Sequence, residues 1–346
     1  MKLKPGESLF KDSDVFEPSY LPEDFLFRDS ETAEMKACAG PALKGGRAAN
    51  AFIFGRPATG KTTATRLVFS EIEKTTNRAI CVHVNSHIYN SQYRILGEVH
   101  KKIFGFVPPE TGMPVTALYD KIFSRLEKEK KSLIVALDDL NFYETKQANA
   151  VLYDLLRAHE VFSKAKISLW CISTGNELHR LDDKVRSTFV ANTIEFSPYG
   201  KEEMKEILKA RARAGLSESA ISDPLLAAIA GTAIDLRHGI EILKKSAILA
   251  EGECSAKIGE KHVRAAIKNF EAPASSPLMD DEKIILDLLK KKARESGELY
   301  GDYKEITGAS YATFYRTLKK LKERKAVSIE QIGKQKGRTS RIALKK

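Results

Sequence analysis

Gly55-Arg-Pro-Ala-Thr-Gly60-Lys61-Thr62 fits the pattern GxxxxGK[ST]. Glycines at these positions let successive backbone N–H groups turn inward around phosphate oxygens. A helix opening at Lys61 adds partial positive charge at the same place. Lys61 is then placed to reach β- and γ-phosphates, and the Thr62 hydroxyl to ligate Mg²⁺. A second run, Leu133-Ile-Val-Ala-Leu-Asp138-Asp139, ends in two carboxylates. Acidic groups at the tip of a buried strand are poorly solvated unless a cation pairs them, and the Mg²⁺ of a bound nucleotide is such a cation. Asp138 reads as the metal-side residue and Asp139 as the group that orients or polarises an attacking water. A further strand end, Cys171-Ile-Ser-Thr-Gly-Asn176, offers an amide that can hold that water or touch the γ-phosphate; an ordinary turn asparagine is the competing reading. The chemistry these groups share is nucleoside triphosphate binding, with hydrolysis as its extension.

Such residues need a scaffold that brings strand ends together. Short apolar runs at 51–54, 79–84, 133–137, 167–172 and 193–196 read as strands. Amphipathic stretches at 60–75, 93–104, 115–129 and 147–159 read as helices. Their alternation predicts a parallel α/β sheet wound on both faces. Residues 1–46 are turn-rich, with Pro5, Pro18, Pro22 and Pro41. After Pro198 the strands stop, and helices are expected at 201–214, 224–230 and 236–250. The Pro/Ser/Ala stretch 271–277 is the clearest boundary. Beyond it, helices are expected at 281–295, 300–307 and 311–324, then two strand-like runs flanking Gly333-Lys-Gln-Lys-Gly337.

Charge is distributed unevenly. Residues 308–346 hold eight Lys and four Arg against Glu323 and Glu330, a net +10 of the chain's +11. A near-neutral body with a basic end points to an end module for a polyanion; a solvated surface helix with a basic tail is the alternative. Tyr311, Phe314, Leu318 and Leu321 form an apolar stripe at helical spacing, with Arg316, Lys319, Lys320 and Arg324 away from it. A helix followed by a basic β-wing is the winged-helix pattern, whose second helix enters the major groove. Lys334, Lys336 and Arg338 at the wing tip are placed to follow the backbone or enter the minor groove. Duplex DNA fits better than RNA, because this architecture offers no stacking platform. The apolar run 133–137 is far too short to span a bilayer, which takes about 20 residues, and the start of the chain reads as no signal peptide. Cys38, Cys81, Cys171 and Cys254 lie far apart, as reduced cytosolic thiols do. The seven histidines form no zinc signature; His83 and His87 flank a strand end and make a poor metal pair.

From about Ser8 onward, an ordered set of motifs resembles the archaeal origin-recognition replication initiators. These are AAA+ ATPases related to the origin recognition complex and cell-division-cycle loader proteins. Leu9-Phe10-Lys11-Asp12, Tyr20-Leu21-Pro22 and Phe27-Arg28-Asp29 match the family's adenine-pocket lead-in. Val84-Asn85, Tyr93-Arg94-Ile95-Leu96 and Pro108-Pro-Glu-Thr-Gly112 match the segment with the initiator-specific helix. Phe196-Ser-Pro198-Tyr199 and Ile207-Leu208-Lys-Ala-Arg211 match the junction into a helical lid, and Asp235-Leu236-Arg237 the lid helix with a second sensor arginine. Gly337-Arg338-Thr339-Ser-Arg341-Ile342 matches the wing.

The resemblance implies an AAA+ P-loop α/β domain over 1–198, a helical lid over 199–270, a linker at 271–279 and a winged-helix domain over 280–346. It implies ATP/ADP contacts from Thr59, Gly60, Lys61, Thr62, Thr63, Tyr199 and Arg211, with Mg²⁺ at Thr62 and Asp138. Asn176 becomes the first sensor, and Arg237 faces the phosphates; without the family, Arg237 reads as a surface helix cation. The implied partners are duplex origin DNA, a replicative helicase and paralogous initiator subunits, in a cytoplasmic, nucleoid-associated setting without a membrane. A second DNA contact is implied for 92–104. Nucleotide would act as a conformational switch. The family has Asp-Glu where this chain has Asp138-Asp139, and a trans-acting arginine where it has Lys184, with Arg186 two residues away. Asp is one methylene short and Lys lacks bidentate geometry, so slow hydrolysis is expected. Two other readings are a nucleotide-gated transcriptional regulator and a transposition-type helper ATPase.

Overall fold

The computed structural model describes residues 8–89, 91–109, 113–140, 145–162, 164, 166–271, 280–289, 293–307, 310–323, 326–333 and 338–344. By contacts the chain divides into two units, Met1–Ala266 and Ile267–Lys346. Most of the expected linker at 271–279, from residue 272 on, lies outside the described residues.

In the first unit the five apolar runs form β1 (Asn50–Phe54), β2 (Ala79–Asn85), β3 (Ser132–Asp138), β4 (Lys166–Ser173) and β5 (Ala191–Glu195). All neighbours are parallel, in the order β2-β3-β4-β1-β5. β3 is buried along its whole length and β4 at all but its first residue, which is why these central strands read as unbroken apolar runs. Successive side chains alternate between two cores. Ile53, Cys81, Ile134 and Trp170 pack with Met35, Ala39 and Val68 of α1 (Asp29–Leu43) and α2 (Lys61–Thr75). Phe52, Val82, Val135 and Leu169 pack with residues of α3 (Gln92–Phe104), α4 (Val115–Glu129) and α5 (Thr145–Val161). The short α6 (Asp183–Thr188) adds Val185 to that second core. Parallel strands all finish at one edge of the layer, where ligands of open α/β sheets bind.

Helix α1 replaces the turn-rich reading of its segment. Its buried residues Met35, Cys38, Ala39 and Ala42 do fall at helical spacing, but small and weakly apolar side chains give little contrast with their neighbours. The lid is α7 (Lys201–Gly215), α8 (Asp223–Thr232), α9 (Leu236–Gly252) and α10 (Glu260–Glu271), the last not anticipated from the sequence. Leu208, Ile229 and Leu243 are buried among the lid helices. The N-terminal segment docks on α7 and α9. Lys11 N–H donates to Gly215 O at 3.0 Å, Ser217 N–H to Leu9 O at 2.9 Å and Leu9 N–H to Glu251 Oε1 at 3.0 Å.

The second unit contains α11 (Asp280–Leu289), β6 (Arg294–Glu295), α12 (Ser296–Thr307), α13 (Tyr311–Glu323), β7 (Val327–Gly333) and β8 (Arg338–Leu344). The strands form an antiparallel sheet in the order β6-β8-β7 over a core that includes Ile285, Leu299, Phe314, Leu321 and Ile342. Three helices and a small antiparallel sheet make a winged-helix fold, so the chain holds a parallel α/β domain with a helical lid, followed by a winged helix. The single helix expected at 281–295 is corrected. The helix is described over Asp280–Leu289, and Arg294–Glu295 pair with Ile342 and Arg341 of β8, a distant partner that overrides local helix preference. Of the expected α13 stripe, Phe314, Leu318 and Leu321 are buried, whereas Tyr311 is half exposed at the rim against Tyr300.

Among the described residues no helix is long and apolar enough to cross a membrane. Cys38, Cys81 and Cys171 are buried thiols and Cys254 an exposed one.

Candidate functional site

The loop between β1 and α2 is shaped by close backbone approach. A Cβ at Gly55 would fall 2.2 Å from Phe196 O, so the β5 end leaves room for glycine alone. Gly60 caps α2 in the left-handed region at φ +95°. Lys61, buried at the helix start, donates through Nζ to Gly55 O at 2.6 Å and Arg56 O at 2.8 Å. Burial pulls Lys61 below the ordinary lysine range, against the carboxylates of Asp138 and Asp139 that hold it up, while Arg237 adds to the pull. Thr62 Oγ1 donates to Asp138 Oδ2 at 2.7 Å, joining the start of α2 to the end of β3.

Asp138 is only 3% exposed. Burial pushes its carboxyl up, but hydrogen bonds from His83 and Thr62, with the Asp139 N–H, outweigh it and hold the group below its ordinary range. Asp139 behaves oppositely: burial and then the Asp138 charge push it up, only partly offset by Lys61, Arg237 and His87. The pair is therefore split, one carboxylate held ionised and its neighbour burdened by charge. A hydroxyl and a carboxylate oxygen 2.7 Å apart are hard donors of the kind Mg²⁺ takes.

These groups open into a cavity of about 980 Å³, at the large end for small-molecule sites and ample for a nucleoside triphosphate. Residues 59–63 supply its floor, and Asp138, Asp139 and Thr174 come from strand ends. Tyr199, Arg211 and Arg237 face it from the lid side, and residues 20–26 cross its rim. Thr59, Gly60, Lys61, Thr62, Thr63, Asp138, Asp139, Tyr199, Arg211 and Arg237 are thus brought together. Asn176 is not: it is exposed and lies two residues beyond Thr174, the strand-end residue that does line the cavity. Arg211 donates to Val15 O at 2.6 Å, with its guanidinium 4.4 Å over the Tyr20 ring. Burial pushes the Tyr199 hydroxyl up to about 12. Lys184 and Arg186 are exposed on α6, where Arg186 pairs with Asp183.

Two residues of the site had no individual role in the sequence reading, where Arg28 stands only within the Phe27-Arg28-Asp29 lead-in match and His83 only as half of a poor metal pair. Arg28 is buried and donates through Nε to Thr59 O at 3.0 Å and through Nη2 to Ser197 O at 2.6 Å, with its guanidinium 3.8 Å over the Tyr199 ring. It ties the phosphate loop to the lid junction. His83 touches Asp138 from the neighbouring strand. Neither contact has a local sequence signal, because each is made to a distant partner.

In the second unit Arg316 and Lys319 are exposed on α13, which also carries Lys320. Arg338 begins β8. Lys334, Lys336 and Arg324 lie outside the described residues. On α3, Ile95, Leu96 and Val99 face the core, and Lys101 and Lys102 are exposed.

Comparison with known proteins gives a Cdc6 AAA+ ATPase-type lid domain over residues 205–268, which starts within α7 and ends within α10. An ORC1-type DNA replication protein 2 of Methanothermobacter thermautotrophicus is 37% identical over 98% of this chain and 92% of that protein. The chain belongs to the ORC1-type DNA replication proteins. Another relative, ORC1-type DNA replication protein 3 of Haloarcula marismortui, is 34% identical over 91% of this chain and 87% of its own length. The ORC1-type fold is also seen in the Aeropyrum pernix Orc1 protein solved in complex with DNA. That structure has a TM-score of 0.79 and 23% identity over 98% of this chain and 94% of that one. The Aeropyrum pernix ORC2 protein, solved as ADPNP–ADP complexes, has a TM-score of 0.70 and 22% identity over 97% and 94% of the two chains.

Proposed function

We propose that this ORC1-type chain is an ATP-binding replication initiator that recognises duplex origin DNA and supports helicase loading, with adenine nucleotide as its conformational switch. The observation that carries the reading is the single cavity that joins Lys61 and the Thr62–Asp138 pair to Tyr199, Arg211 and Arg237 of the lid side. In it the α2 N-terminus and Lys61 would hold the phosphates, and the N-terminal segment and α7 would enclose the base. Thr62 and Asp138 would hold Mg²⁺, which when bound neutralises phosphate charge. Arg237, reaching in from α9, pulls the lid toward that charge, so nucleotide occupancy is read as lid position. The ADP and ADPNP complexes of the Aeropyrum ORC2 protein support the choice of adenine nucleotide. Asp139 and Lys184 depart from the family pattern, so turnover is slow and occupancy matters more than flux.

The basic second unit takes the DNA, with Arg316, Lys319 and Lys320 on α13 and Lys334, Lys336 and Arg338 from the wing. The DNA complex of the Aeropyrum Orc1 protein supports DNA as the partner, and the charge of the second unit supports its placement there. A replicative helicase and paralogous initiators are the partners the reading requires. Equilibrium binding of ATP and of origin duplex to the full chain tests it. Lys61→Ala should weaken ATP at least about tenfold, the worth of a hydrogen bond to a charged group. Undiminished ATP binding would remove the phosphate-cradle assignment. Genome footprints confined to promoters would favour a transcriptional regulator.

A further inference from the structure

β2 brings a third group to the Thr62–Asp138 pair. His83 Nε2 lies 2.9 Å from Asp138 Oδ2, the same oxygen that accepts from Thr62 Oγ1. The other oxygen, Oδ1, accepts the Asp139 backbone N–H at 2.9 Å. The strand register builds this contact. Asn85 pairs with Asp138 and His83 with Ala136, so His83 stands one pleat back from the carboxylate on the same face of the sheet. From there an imidazole reaches the carboxylate. An ionised carboxylate only accepts, so the hydrogen in this contact sits on Nε2. Thr62 likewise spends its single hydroxyl proton on Oδ2, which leaves its oxygen lone pairs directed elsewhere. His83 also lines the cavity, at 22% side-chain exposure against 4% for Asp138.

We infer that His83 is a positioning residue for the divalent-cation half of the nucleotide site, fixing the Asp138 carboxylate so that Thr62 keeps its lone pairs available to Mg²⁺. A carboxylate at a strand tip turns about its terminal torsion unless donors hold it. Here three donors from three elements fix one orientation: His83 from β2, Thr62 from α2 and the Asp139 N–H beyond β3. Partners of this kind, one shell out from a metal, orient the ligands that touch it. The inference rests on the nucleotide reading above and adds to it a residue outside both phosphate motifs.

The test is binding of a fluorescent ADP analogue to the full chain, in EDTA and across a magnesium titration. The unsubstituted protein is compared with His83→Leu, which fills the space without an N–H, and His83→Gln, which restores one. His83→Leu should raise the magnesium concentration for half-maximal binding enhancement by about tenfold or more, the usual loss for an outer-shell partner. Its affinity in EDTA should stay within about twofold, and His83→Gln should recover most of the magnesium response, as the hydrogen bond and not the ring is what positions. An unchanged magnesium curve in His83→Leu overturns the inference. So does an equal loss with and without magnesium, or an unsubstituted protein indifferent to magnesium. If His83→Leu does not fold, imidazole ¹⁵N spectra of the unsubstituted chain decide: Nε2 must carry the hydrogen, and an Nδ1–H tautomer overturns the assignment. Failure of the unsubstituted chain to bind the analogue under any condition is a different result, and it removes the nucleotide reading itself.

Discussion

Ala58 sits in the phosphate loop at φ +60°, a region an L-residue enters at a penalty of roughly 1–2 kcal/mol. Strain of this kind collects where surrounding structure over-determines the backbone, as the Arg28–Thr59 and Lys61–Gly55 bonds do here. Ala58→Gly should therefore stabilise the fold by about 0.5–1 kcal/mol after allowing for the looser unfolded chain, readable as a shifted denaturant midpoint with unchanged slope. Nucleotide affinity should change little, because the loop already has the required shape. The split carboxylates make a pH prediction. Asp139 lies above its ordinary range, so its ionised form weakens the folded state at neutral pH, and that burden lifts as pH falls through its folded-state value. Asp139→Asn should raise Tm at pH 7, and the gain should fade as pH falls and be gone by about pH 3, below the ordinary aspartate value, where the carboxyl is protonated in folded and unfolded chains alike. Asp138 has the opposite sign. Its folded-state value is depressed, so the stability it lends is present at neutral pH and is lost only on acidification below the ordinary aspartate range.

At the scale of elements, the N-terminal segment and α7 behave as one wall of the cavity. A Cβ at Gly215 would sit 2.5 Å from the Phe16 ring and 3.0 Å from Asp12 O, and Phe16 is fully buried with its edge toward Phe10 at 5.8 Å. Gly215→Ala should destabilise the protein by about 1–3 kcal/mol, as overpacking does. It should also weaken adenine nucleotide binding, because the segment it displaces carries Val15 and Tyr20, both of which contact Arg211. Comparing ADP affinity with pyrophosphate affinity checks this: the first falls and the second holds if the base side alone is disturbed. This wall marks where sequence reading stops. The central strands were legible because burial on both faces leaves an uninterrupted apolar run, and the phosphate loop because its chemistry fixes residue types at fixed spacing. Helix α1 was hidden because alanines and a cysteine face its core. β6 was hidden because its strand character comes entirely from β8, some 46 residues on. The contacts of Arg28 and His83 were silent for the same reason. Each matters through a group far away in sequence, and no local pattern records the pairing.

At the scale of the whole molecule, chemistry is divided between the units by charge. The last 39 residues hold a net +10 of +11, while the phosphate-binding cavity lies in a body that is nearly neutral. A neutral body adds little long-range pull on DNA, so the salt dependence of DNA binding should belong to the second unit. Within it, Phe314, Leu318 and Leu321 commit one side of α13 to the core, and Arg316 and Lys319 are left on the exposed side. Each phosphate contact releases counterions and adds about 0.9 to the slope of log affinity against log salt. Arg316→Ala and Lys319→Ala should each lower that slope by up to about 0.9 while leaving ADP affinity unchanged. Lys61→Ala should leave the slope of the nucleotide-free protein where it was. Duplex binding measured from 50 to 300 mM salt, roughly the range over which such contacts lose several decades of affinity, separates the two sets. A slope that ignores α13 but responds to Lys101 and Lys102 would move the main DNA contact to α3 of the ATPase body.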